Sequence, residues 1–178
     1  MDKNELLKGK LLTKNIQIIF SNNIIFLSVI GLSVFWGVSQ GLMAVFPSFA
    51  KEYLGVTDVF VINAVIGASG IGIAIGSLIY SKISKHYIEI GTIPFSALGM
   101  ALMIYVSTIV QTPFLLGMSF LVFGIFGGLF VVPLNALIQF NEKKKVLGTI
   151  LAGNNWFHSL AMFLMLALTT TVSFYDLD

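Results

Sequence analysis

The chain has 178 residues, 57% of them apolar and 10% charged, with a formal net charge of +2 and no cysteine. That balance excludes an ordinary soluble domain, because an interior this small cannot hide so many helices that are apolar all round. The missing cysteines exclude a disulfide framework and thiolate chemistry, and the lysines sit beside apolar runs instead of forming a nucleic-acid surface. The sequence therefore reads as an all-α integral membrane protein.

In chain order, residues 1–23 form a basic segment carrying Lys3, Lys8, Lys10 and Lys14. Leu7, Leu11 and Ile18 recur at near-helical spacing, so an amphipathic surface helix is one reading and a solvated linker the favoured one. The segment lacks the apolar run and small-residue cleavage pattern of a signal peptide. Residues 24–178 form a transmembrane domain of five spans: Ile24–Phe49, Val59–Ser81, Ile90–Val110, Phe114–Phe140 and Val146–Phe174. Each is long enough for a hydrocarbon core that takes about 20 residues to cross. Gln111-Thr112-Pro113 joins the third and fourth spans so tightly that they must form an antiparallel hairpin.

Orientation follows from the lysines, since there is no arginine. The N-terminal segment, the loop with Lys82 and Lys85, and the loop with Lys143, Lys144 and Lys145 alternate onto one side, leaving Lys51 alone on the other. The positive-inside rule places the N-terminus in the cytoplasm, and five crossings place Asp176 and Asp178 outside.

Small residues at four-residue spacing mark helix packing. Ala64, Ala68, Gly72 and Gly76 line the second span, with Gly37 and Gly41 in the first and Gly124 and Gly128 in the fourth. Gly70-Ile71-Gly72 with Gly76 has neither the spacing nor the preceding strand of a phosphate-binding loop.

Polar side chains within spans are the functional candidates, since each needs a partner or a wet cavity. Trp36 and Gln40 share a face with Ser33; Asn135 and Gln139 lie one turn apart; Asn154 and His158 share a face beside Asn155; and Asn63 lies near an outer end. One reading is interhelical amide bonding worth about 1 kcal/mol or less per pair. Spread over several spans, the set is better read as a substrate cavity of Trp36, Gln40, Asn135, Gln139, Asn154, Asn155 and His158. His158 is read as neutral and bonded to a nearby amide rather than proton-coupling, because no carboxylate lies within the spans. Pro133 is either a hinge or a static bend. Zinc-ligand spacing, a nucleophile elbow and an acid–base pair are all absent, so neither metal, cofactor nor catalysis is expected.

Phe35-Trp36-Gly37 with Gln40, Gly76-Ser77-Leu78 through Ile88-Glu89-Ile90-Gly91, Pro133-Leu134-Asn135-Ala136-Leu137-Ile138-Gln139 and Gly153-Asn154-Asn155 together resemble a known family. The order of features is similar to helices seven to eleven, the C-terminal half, of a major facilitator superfamily transporter. More narrowly it resembles the lysophospholipid transporter group, including modules fused to an acyltransferase and an acyl–acyl-carrier-protein synthetase. The loop signature of that superfamily is poorly kept: Tyr80 and Ser81 stand where charge is expected, and only Lys82 and Lys85 supply any.

The resemblance implies transport of lysophospholipid across the bacterial inner membrane, with partners in the bilayer, in an N-terminal transporter half and in a fused or adjacent acyltransferase. The alternatives are a facilitator-type exporter of small amphipathic molecules and a non-transporting truncated fragment.

Overall fold

The computed structural model describes residues 19–141 and 144–175, without the side chains of 144–146. Most of the N-terminal segment, Lys143 and the terminal aspartates lie outside that range. Five long helices follow one another: α1 (Asn23–Leu54), α2 (Val59–Ile83), α3 (Thr92–Ile109), α4 (Pro113–Phe140) and α5 (Lys144–Tyr175). All five are long and apolar enough to cross a membrane. Helix is the form expected there, because it satisfies every backbone polar group within one segment.

Local chemistry sets the helix ends. Gly55, at φ 64°, adopts the left-handed turn that glycine takes without a Cβ clash, and the Val56 N–H returns to the Ala50 carbonyl at 3.0 Å. Asp58 then caps α2, its side chain accepting the Phe60 N–H at 2.8 Å. Pro113 is the first residue of α4 rather than part of the linker, at a position where its missing N–H is no loss.

The chain divides into two compact units. One comprises the chain up to Gln40 with everything from Leu134 onward; the other is Gly41–Pro133. The boundary in α4 falls at Pro133, which is fully buried.

In the Gly41–Pro133 unit, α2 lies against α4 through bare backbone. A Cβ built on Gly72 would stand 2.1 Å from the Leu121 carbonyl oxygen, and one on Gly124 would stand 2.0 Å from that of Ser69. Gly76 and Gly128 meet Ile125 and Ile73 of the opposing helix in the same way. The buried face of α2 is Val65, Ser69, Gly72, Gly76 and Tyr80, so Ala64 is exposed and Ala68 only half-buried. A strict four-residue stripe drifts about 40° per step around a helix of 3.6 residues per turn, so Ala64 has rotated off the seam that Gly76 occupies. Gly99 of α3 similarly admits the ring of Phe126. Phe46, Ala50, Val65, Leu116 and Phe120 form this unit's apolar core.

A side-chain hydrogen bond ties the α2–α3 loop back to α2. Tyr80 is buried, and its hydroxyl oxygen accepts the Glu89 N–H at 3.1 Å. A neutral bond from the end of α2 thus holds the approach to α3.

Candidate functional site

All seven cavity candidates belong to the other unit. There α1 and α5 approach closely at Gly37, where an added Cβ would stand 3.3 Å from the Ala161 carbonyl oxygen. Residues 154, 158 and 161 advance by four and then three positions, which is one helix face. The face of α5 that meets Gly37 through Ala161 therefore also carries Asn154 and His158.

These two side chains are buried, with 3% and 9% of their surface exposed. Asn154 Oδ1 and His158 Nε2 have no hydrogen-bond partner. Leaving a buried polar group unpaired costs about 1–3 kcal/mol, and the hydrocarbon around a spanning helix offers no water in compensation. Such a pair is a costly feature of an apolar helix.

The other candidates are placed differently. Asn135 is half-buried and already engaged in an interaction. Gln40 is half-buried, while Gln139 and Asn155 are exposed. Trp36 sits at the margin with 36% exposure, its ring edge-on to Phe35 at 5.3 Å. Asn63 in the other unit is exposed. Ser33, which shares the Trp36 face in sequence, donates to the Val29 carbonyl at 2.7 Å and is satisfied within its own helix.

One polar group escaped the sequence reading. Ser39 is buried and its Oγ is unpartnered. Ser28 and Ser33, on the same helix, both donate back to a carbonyl four residues earlier. That back-bonding is the ordinary fate of a helical serine, so nothing in the sequence distinguishes Ser39 from its neighbours.

Among the described residues, no group of three or more His, Asp or Glu side chains could hold a metal ion. A concavity of about 570 Å³ near the end of α5, between Phe163 and Tyr175, is lined by that helix alone and is an open depression.

Comparison with known proteins adds a second line. Residues 2–166 match the family described as Major Facilitator Superfamily. A lysophospholipid transporter, LplT, of Photorhabdus laumondii is 29% identical over 150 residues, covering 82% of this chain and 36% of that protein. Proteins of the same description from Serratia proteamaculans and Escherichia coli O157:H7 are 33% and 32% identical, each over 79% of this chain. The chain thus spans about a third of the length of the curated relatives it matches. No solved structure matches it.

Proposed function

The chain belongs to the major facilitator superfamily, and from that premise we propose that it forms part of a transporter moving lysophospholipid across a bacterial inner membrane. It supplies helices corresponding to the seventh through eleventh and works with the complementary half of such a transporter, the substrate lying between the two. An acyltransferase that reacylates the product is the natural downstream partner.

The observation that carries this reading is the pair of buried, unpartnered atoms on α5, Asn154 Oδ1 and His158 Nε2. With half-buried Asn135 and Gln40 in the same unit, they are read as the start of a neutral polar lining for a headgroup, to which Trp36, Gln139 and Asn155, exposed in this chain alone, would add only against the complementary half. Neutral amides and an imidazole bind a headgroup without demanding a counter-ion, whereas a lysine or carboxylate there would be costly to bury. The apolar helix surfaces accommodate the acyl chain.

Uptake of headgroup-labelled lysophospholipid by spheroplasts expressing the gene in its native genomic setting tests this directly. We expect uptake to fall at least tenfold when Asn135 and Asn154 are both replaced by alanine. Unchanged uptake removes the cavity assignment, and altered drug susceptibility with no lipid phenotype replaces the substrate with a small amphipathic molecule.

The orientation belongs to the same proposal: cytoplasmic N-terminus, periplasmic C-terminus. Alkaline phosphatase fused after Tyr175 is expected to be active, and the same enzyme fused after Asn141 silent. Activity after Asn141 inverts the topology.

A further inference from the structure

The inward face of α5 loses burial in one direction. Ile150, Asn154, His158 and Ala161 follow at intervals of four, four and three residues, and Met165, Leu168 and Val172 continue the same face. Ile150 is fully buried, Asn154 and His158 nearly so, and Ala161 and Met165 half-buried. Leu168 and Val172 expose 57% and 52% of their surface. Beyond His158 no described residue of α5 is buried. A helix embedded evenly in a bundle keeps one face covered along its length, so the cover on α5 is confined to the end that begins at Lys144.

The other two helices of this unit close that same end. Ile25 lies in the first turn of α1 and Ile138 in the last turn of α4, and neither has any exposed surface. Deeper on the same helices, Val29 and Leu32 of α1 and Leu134 of α4 are buried too. These are all aliphatic, whereas the face of α5 turns polar one step after Ile150. Asn154 is ten residues into α5, about 15 Å from its start at 1.5 Å per residue. The orphaned amide therefore sits just behind a layer of aliphatic side chains, and an apolar constriction of that kind excludes water by dewetting.

We infer that Ile25, Ile138 and Ile150 form an apolar seal at the lysine-rich end, and that Asn154 and His158 are entered from the opposite end in this conformation. The inference takes the polar pair as the site from the transport reading. It adds the side from which that site is reached, and the side chains that must part before a molecule leaves toward the lysines. On the proposed orientation the seal is cytoplasmic and the entrance periplasmic.

The chain has no cysteine of its own, so a single thiol at the site reports access. Asn154→Cys, expressed in the native genomic setting, is treated with a membrane-impermeant cationic methanethiosulfonate, and modification of residue 154 is read by peptide mass. The alkaline phosphatase fusions fix beforehand which side carries the lysine-rich loops. Reagent on the opposite side, as in spheroplasts, should react at least tenfold faster than reagent on the lysine-rich side, as in inverted vesicles. Ile150→Gly in the same background should raise the slower rate at least tenfold and leave the faster one unchanged, while Ile150→Val keeps the seal. Ile138→Ala repeats the test on α4 if Ile150→Gly does not elute as a folded peak in gel filtration.

Equal rates from the two sides overturn the seal, as does a faster reaction from the lysine-rich side or no reaction from the other. A slow rate that neither Ile150→Gly nor Ile138→Ala raises overturns the assignment to these side chains. Lysophospholipid uptake by the unsubstituted chain separates the two levels. One-sided reactivity without uptake keeps the seal and discards the transport reading; uptake with two-sided reactivity does the reverse.

Discussion

Replacing Gly76 and Gly124 together by alanine should separate α2 from α4 and collapse the Gly41–Pro133 unit. Each new methyl would stand 2.0 Å from a backbone carbonyl oxygen, of Ile125 in one case and of Ser69 in the other. No side chain can rotate away to relieve that contact, so one helix must move. Overpacking of this kind costs about 1–3 kcal/mol per site, a large share of the stability of a small domain. Gly67 and Gly70, on the same helix, supply the control: an added Cβ there meets nothing within 4 Å. Alanine at those two positions should be neutral or stabilise by up to about 1 kcal/mol each through helix propensity. Thermal midpoints in detergent, read by fluorescence-detected gel filtration, will order the pairs. Equal effects of the two pairs would refute backbone contact as the basis of the seam.

The second large effect runs in opposite directions for stability and for function. Asn154→Leu and His158→Leu remove atoms that are buried without partners. Replacing an unsatisfied polar group by an apolar one of similar size relieves a penalty of about 1–3 kcal/mol. Each variant is therefore expected to melt at a higher temperature than the parent chain. If the same atoms hold a headgroup, each should also lose at least tenfold in lysophospholipid uptake. A merely structural pair predicts lower stability and unaltered specific uptake. The combination of raised melting temperature and lost uptake is the signature of polar groups retained for a ligand.

How much of this was legible in the sequence varies with the physics of each feature. The five helices lie within a few residues of the apolar runs, because hydrocarbon thickness and the need to satisfy the backbone leave little freedom. Ends were harder. Gly55 and Asp58 act through turn geometry and capping, which extend α1 to Leu54, beyond the Phe49 suggested by hydropathy. The packing face of α2 was half legible. Small residues announced a close contact, but a four-residue count does not follow a 3.6-residue helix, and Ala64 falls outside the seam.

Polar residues were legible as a set and not as individuals. Asn154 and Asn155 are adjacent and chemically identical, yet one is buried and the other exposed. A rotation of about 100° per residue separates them, and only the contact at Gly37 and Ala161 fixes which one faces inward. Ser39 could not be separated from Ser28 and Ser33, because local back-bonding, not residue type, decides whether a helical serine is satisfied.

By itself, the sequence determined that the chain crosses a membrane in five helices and carries amides where hydrocarbon makes them costly. It also determined a resemblance to the superfamily to which the chain belongs. These rest on composition and on one-dimensional order, which the bilayer reads directly. Tertiary structure alone decided which amide is orphaned, which glycines meet a carbonyl, and that Phe46, Ser107 and Phe120, far apart in the chain, line one half-open apolar crevice. Those depend on helix rotation and contact, which packing sets and linear order does not.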